Sequence, residues 1–405
     1  MDHQVLSGTM PSLAASLSFP AACTRRRSPI YSISRASGAV PSVRFHGFHS
    51  CKVFQQIQPG GTSFELPGAL RVSCSSERVK RDALNCQTFA TIADVSLDQS
   101  TEISEFPKGD MWSVHKFGGT CMGTAKRIQN VADIVLKDSS ERKLVIVSAM
   151  SKVTDMMYNL VSKAQSRDET YIAILDDIFE KHMLTAKEIL EVDDLESFLS
   201  QLHDDIINLK AMLRAIFIAG HATESFSDFV VGHGELWSAQ MLAYVIKKNG
   251  RPCSWMDTRE VLIVNPTNSN QVDPDYVESK KRLKKWFARQ PPDTIIATGF
   301  CCQYSPEYPT TLKRDGSDFS AAILGSLVRA PKVTIWTDVD GVFSADPRKV
   351  SEAVILSTLS YQEAWEMSYF GANVLHPRTI IPVMKYSIPI VIRNIFNLSA
   401  PGTMI

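Results

Sequence analysis

Nowhere in this 405-residue sequence is there a run of about 18 uncharged apolar residues, so no transmembrane helix is expected. An excess of charge of either sign is missing too, since 43 Lys and Arg balance 43 Asp and Glu for a formal net charge of +0. No basic field argues for a nucleic-acid partner, and no acidic one for a solvating tail. The cysteines, at positions 23, 51, 74, 86, 121, 253, 301 and 302, include no CxxC pair and no Cys/His spacing suited to zinc. They read as reduced, unpaired thiols. No G-x-G-x-x-G follows a strand pattern, so a dinucleotide fingerprint is absent.

Acidic residues are scarce at one end only. Before Arg81 there are Asp2, Glu65 and Glu77, within a stretch rich in Ser, Ala and Arg such as "PSLAASLSFPAACTRRRSPIYSISRASGAV". Basic, hydroxylated, acid-poor chain has the composition of an organelle transit peptide, here expected over residues 1–90. Residues 91–110 turn acidic and read as a linker, and a folded domain is expected over 111–405.

Within that domain short β-rich runs alternate with helical stretches. "SVHKF", "KLVIVSA", "PCSWMD", "DTIIATGF", "KVTIWTDV" and "IPIVIRN" are the strands, and Ile206, Leu209, Leu213 and Ile216 mark one apolar helix stripe. Alternation of this kind implies an α/β fold with a mainly parallel sheet covered on both faces. Ligands collect at the carboxyl ends of such strands, so chemistry is sought there.

The first strand ends "HKFGGTCMG". Lys116 can aim a cation into the crevice, while Gly118 and Gly119 let backbone amides approach an anion. The same pair would also serve as a plain strand-to-helix turn. Gly118 and Gly123 have P-loop separation, but Thr124 and Ala125 stand where that motif needs Lys and Ser/Thr. After "KLVIV" come Ser148, Ser151 and Thr154, which suit a small polar ligand or a helix cap. Glu235 falls in the first turn of a helix behind Gly232 and Gly234, where it could receive an ammonium; His233 reads as a neutral positioning group. "TTLKRDGSDFSAA" is the densest segment. Lys313 offers a point charge for phosphate, Arg314 a fork for carboxylate, and Ser317 and Asp318 open a helix. Thr337, Asp338 and Asp340 then lead a loop into "ADPRKV", which could surround a nucleotide or form two successive turns.

"KFGGT", "GHGE", "TTLKRDGSDFSAA", "IWTDVDGV", "DPRKV", "LSYQEAWEMSYFGANVLHPRT" and "PGT" stand in the order found in aspartate kinases of the amino acid kinase family. Residues 112–405 resemble that family throughout, and most of all the kinase portion of plant bifunctional aspartokinase–homoserine dehydrogenases. The resemblance implies a three-layer α/β/α sandwich with a central, mainly parallel sheet. It implies transfer of a phosphoryl group from ATP, with Mg2+, to the side-chain carboxylate of L-aspartate, in the chloroplast. By the same resemblance Lys116, Gly118 and Gly119 cradle the phosphate, and Ser148, Thr154, Glu235, Arg314 and Ser317 hold aspartate. Asp318 organises the reacting end beside Lys116, and Thr337, Asp338, Phe343 and Arg348 surround ATP. The metal ligands stay open, with Asp318, Asp338 and phosphate oxygens as candidates.

The inventory suits the chemistry. A side-chain carboxylate with a reference pKa of about 3.9 is already ionised at neutral pH, so phosphoryl transfer to it calls for charge neutralisation and alignment, not a general base. Three features depart from the family pattern. Cys121 stands where a serine is usual and could add redox sensitivity. Asn373 replaces a lysine that contacts ATP in many bacterial members, so that role is not carried over. Cys301 and Cys302 are expected on a solvated loop lip. In the family "PGT" leads into small regulatory ACT domains and, in bifunctional enzymes, a homoserine dehydrogenase. None follows Ile405 here, so kinase activity insensitive to lysine and threonine, and a weakened homo-oligomer, are expected. The alternatives are another amino acid kinase, such as a glutamate 5-kinase, and a catalytically silent assembly chain.

Overall fold

The computed structural model describes residues 108–267, 272–289, 291–304, 308–313, 315–369 and 375–405. The expected transit segment, most of the linker, Arg314 and Asn373 lie outside them.

The chain runs β1 (Trp112–Phe117), α1 (Ala125–Lys137), β2 (Arg142–Val147), α2 (Val153–Gln165), α3 (Tyr171–Ile189), α4 (Val192–Ala219), α5 (Glu224–Val231) and α6 (His233–Lys248). It continues β3 (Cys253–Met256), β4 (Ile263–Pro266), β5 (Val272–Pro274), α7 (Tyr276–Phe287), β6 (Thr294–Thr298), β7 (Cys301–Tyr304), β8 (Tyr308–Thr311) and α8 (Gly316–Val328). It closes β9 (Val333–Thr337), α9 (Tyr361–Tyr369), α10 (Pro377–Met384), β10 (Ile390–Asn394) and β11 (Thr403–Met404).

Seven strands form the central sheet in the order β11-β10-β9-β1-β2-β6-β3, parallel except for the β10–β11 pair. All six strands read from the sequence lie in it. Alternate residues of one strand feed two separate cores. Val145 and Val147 pack with the buried faces of α1, α2, α3, α4 and α6, while Leu144 and Ile146 pack with α7, α8 and α10. This two-sided burial makes the strands read as continuous apolar runs and produces the three-layer sandwich. Each covering helix presents its own stripe. In α1, Ala125, Ile128, Val131, Ala132 and Val135 are buried, and the Thr124 hydroxyl caps the helix by accepting from the Arg127 amide at 3.4 Å. The α4 stripe is also as expected, with Leu209, Leu213 and Ile216 buried and Ile206 partly so. No helix of the described residues is long and apolar enough to cross a membrane.

A second sheet, β5-β4-β7-β8, was not anticipated. The segment expected to be a solvated lip is instead the hairpin β7–β8, with Cys301 paired to Thr311 and Cys302 to Thr310. Cys301 and Cys302 are 1% and 0% exposed. Burial pushes both thiols well above their ordinary pKa, so they are packing groups.

Candidate functional site

The parallel register brings the carboxyl ends of β9, β1, β2 and β6 to one edge, and backbone hydrogen bonds lash their exits together. Gly118 N donates to Trp336 O at 3.4 Å, Ser148 N to Phe117 O at 3.1 Å, and Gly299 N to Val147 O at 2.8 Å. Over that edge lies a cavity of about 440 Å³ lined in part by Lys116, Gly119, Ser148, Thr154, Glu235, Ser317 and Asp318. Seven sequence-predicted site residues therefore converge on one space of ligand size. Gly118 stands beside it, and a Cβ added there would sit 3.5 Å from the Lys116 ammonium.

Lys116 is the penultimate residue of β1 and Asp318 stands in the first turn of α8. Both are nearly buried, and the ammonium lies 2.6 Å from Asp318 Oδ1. The glycine turn contributes differently from expectation. The Gly118 amide is used by Trp336 O, whereas Gly119, whose amide meets no acceptor among the described residues, lines the cavity. Cys121, buried behind this turn, places its Sγ 3.5 Å from Trp336 O. Burial pushes its thiol pKa up despite nearby Lys116, which removes the expected redox sensitivity.

Glu235 is the most unusual group in the wall. It is 2% exposed, and its Oε2 has no hydrogen-bond partner. Burial pushes its pKa up to about 8, against weaker opposition from backbone amides of Ala149 and Glu235 itself. Such a carboxyl suits a ligand cation that would restore its charge. Its placement depends on Gly234, where any Cβ would lie 2.8 Å from Ala149 Cβ, so only glycine lets α6 close on the loop after β2. His233 is buried, its Nδ1 is 2.9 Å from Phe229 O, and burial lowers its pKa. It belongs to the helix packing, as a neutral group.

Ser148, Ser151 and Thr154 line the cavity, and the residue capping α2 is Lys152, which makes no side-chain cap bond. Lys152, Tyr158, Phe300 and Lys313 also line it; of these only Lys313 was picked out from the sequence. Lys313 was read as a phosphate cation, but its ammonium is taken by Glu224 at 2.6 Å and Asp228 at 2.8 Å.

The four expected ATP residues lie apart from this lining. Thr337 ends β9, next to β1 in the sheet, and its hydroxyl donates to Asp338 Oδ1 at 3.3 Å. Phe343 bridges to Ile355, and Arg348 is an exposed side chain bound to Asp346. Asp340 accepts from Asn394 at 2.8 Å and Asn397 at 3.1 Å, which ties this loop to the one after β10. Among the described residues no cluster of three or more His, Cys, Asp or Glu side chains could hold a metal ion unaided.

The amino acid kinase family model matches residues 111–394. The chain is 69% identical over 385 residues to the bifunctional aspartokinase/homoserine dehydrogenase 1, chloroplastic, of Zea mays, an alignment covering 95% of this chain and 41% of that protein. It is 32% identical over 323 residues to the chloroplastic aspartokinase 1 of Arabidopsis thaliana, covering 78% of this chain and 55% of that one. The chain thus spans less than half the length of the bifunctional relatives it matches. Among solved structures, Escherichia coli aspartokinase III in complex with aspartate and ADP superposes with a TM-score of 0.66 at 29% identity, covering 72% of this chain and 63% of that chain.

Proposed function

Because the chain belongs to the amino acid kinase family, we propose that it transfers the γ-phosphoryl group of ATP to the side-chain carboxylate of L-aspartate, giving 4-phospho-L-aspartate and ADP. The observation that carries this reading is the buried Glu235 carboxyl, whose Oε2 has no hydrogen-bond partner, in the wall of the cavity that also holds the Lys116–Asp318 pair. An acceptor with an ammonium at one end and an anion at the other matches those two features.

In this reading Glu235 receives the ammonium of aspartate, with Ser148 and Thr154 donating to its polar edge. Arg314, outside the described residues, is assigned to the α-carboxylate. The substrate's side-chain oxygen forms the new bond to the γ-phosphorus as the bond to the β,γ-bridging oxygen breaks, and the electron pair leaves with ADP. No proton has to move, because the attacking carboxylate is already ionised. Lys116 neutralises charge spread over the transferred group, and the Gly119 amide and Ser317 hydroxyl donate to its oxygens. Asp318 holds Lys116 in place. Thr337, Asp338, Phe343 and Arg348 are assigned to the nucleotide, at the neighbouring strand end.

Magnesium shared with phosphates needs only one or two protein carboxylates, and Asp318 and Asp338 are the candidates assigned to it. It would supply further charge neutralisation. The names of the plant relatives and the composition of residues 1–90 support import into the chloroplast.

Hydroxylamine trapping of acyl phosphate tests the reading. Formation with ATP, magnesium and aspartate, absence with glutamate, and loss on Lys116→Ala are expected. A folded wild-type chain that forms no acyl phosphate from aspartate would refute it.

A further inference from the structure

Seven described residues other than glycine hold a positive φ, and Lys152, Phe300, Lys313 and Asp315 among them line the cavity. Such backbone persists only where surrounding contacts hold it there. For the turn between β8 and α8 those contacts can be named. Lys313, at φ 64°, donates from Nζ to Glu224 Oε1 at 2.6 Å and to Asp228 Oδ2 at 2.8 Å. Asp228 is 4% exposed and also accepts from Thr310 Oγ1 at 2.7 Å, Thr311 Oγ1 at 3.1 Å and Thr311 N at 3.2 Å. One buried carboxylate of α5 thus gathers four donors from the end of β8 and the residues after it.

The other side of the turn is the catalytic one. The Lys313 carbonyl accepts from Gly316 N at 3.1 Å, where α8 begins, and the next two residues are Ser317 and Asp318. Lys313 lines a cavity read as taking an acidic amino acid, yet two carboxylates already answer its charge. Burial alone would lower its pKa, but those carboxylates raise it, so the ammonium stays charged and bound. Glycine would adopt φ 64° without strain. What lysine adds at this position is the tie to α5.

We propose that Lys313 is a positioning residue: the Glu224–Lys313–Asp228 latch joins α5 to the turn ahead of α8 and thereby fixes Ser317 and Asp318 against Lys116. The proposal rests on reading this cavity as the aspartate site. It assigns Lys313 no contact with substrate.

Three substitutions separate the possibilities. Lys313→Gly relieves the backbone and removes the latch, Lys313→Met removes only the charge, and Lys313→Arg keeps it. The Gly and Met variants are expected to lower kcat/KM for aspartate by about tenfold or more, as misplaced catalytic groups do, with KM for ATP changed less than about twofold. Both should speed amide hydrogen exchange across residues 310–318, and Arg should recover much of the loss. A purely structural lysine would lower thermal stability and leave kcat/KM unchanged, which overturns the proposal, as does a Gly variant equal to wild type in both rate and exchange. Glu224→Gln, at a half-exposed position, weakens one arm in a chain expected to fold; it should show a smaller loss of the same kind, and wild-type values there would also count against the latch. If wild type does not phosphorylate aspartate, the functional reading fails on its own, and the exchange comparison still decides whether the latch holds the turn.

Discussion

If Glu235 receives the ammonium of aspartate, binding must expel a proton. Burial holds the free carboxyl at about 8, so at pH 7 about nine-tenths of free chains carry it protonated. The ammonium calls for the ionised form. Close to one proton should therefore leave per aspartate bound at pH 7, and about half of one at pH 8. Apparent affinity for aspartate should rise about tenfold from pH 6 to pH 7 and level off above pH 8. Calorimetry in two buffers of different ionisation enthalpy counts the protons directly. Glu235→Gln should abolish the release and weaken binding about 10- to 150-fold, the span of a charged hydrogen bond of about 1.5–3 kcal/mol. Stability is linked in the same sense. The raised pKa means the neutral carboxyl contributes stability that is fully present below about 4.5 and lost as pH rises through about 8. At about 1.4 kcal/mol per pH unit that contribution is capped near about 5 kcal/mol. The unliganded chain should lose melting temperature towards pH 9 by more than Glu235→Gln does, and aspartate should restore more of it at high pH than at low. No proton release at pH 7, together with a pH-independent affinity between 6 and 8, would refute the assignment of Glu235.

Four further outcomes follow from particular contacts. Lys116→Ala leaves the nearly buried Asp318 without its cation; the chain should stay folded by circular dichroism while kcat falls about 10²- to 10³-fold or more. Gly299→Ala puts a Cβ 2.7 Å from the Ser317 Cβ and Oγ, so about 1–3 kcal/mol of stability and most of the activity should be lost, read by denaturant titration and the trapping assay. Burial pushes the Asp138 carboxyl up, but hydrogen bonds from His115, Ser113 and Ser140 more than reverse this and hold it well below the carboxylate range. That stability is present above about 3.8 and lost as pH falls, so Asp138→Asn should cost about 1–3 kcal/mol at pH 7 and progressively less towards pH 3 in thermal melts. In the native protein, peptides carrying Cys121, Cys253, Cys301 and Cys302 should resist alkylation mapped by mass spectrometry, and become labelled on denaturation, because all four thiols are buried with raised pKa values.

The strand ends could be read from sequence because each carries a local signature. A buried parallel strand is a short apolar run, and the residues that follow it must turn, so Lys116 with its glycines, Ser148 and Asp318 declared themselves one segment at a time. The β7–β8 hairpin did not, since its strands are only four residues each and Cys301 and Cys302 are buried by neighbours distant in sequence, Cys301 Sγ lying 3.5 Å from Gly232 O. Backbone conformation was equally hidden. Glycine advertises a positive φ, whereas lysine at 152 and 313 does not, and the contacts that hold Lys313 there come from α5, more than 80 residues earlier. Ionisation was hidden for the same reason. An acid in a first helical turn is ordinarily charged and favoured by the helix dipole; Glu235 becomes neutral because Gly234 lets α6 press it against the loop after β2, out of reach of water. Residue type and local pattern therefore supply the groups, and tertiary packing decides which of them carry charge and where they point. Two of the cavity's lysines show how far that decision reaches: Lys116 is paired by one carboxylate, that of Asp318, whereas Lys313 is held by two carboxylates of α5, so in the proposed reaction the first meets the phosphoryl group and the second holds the turn that faces it.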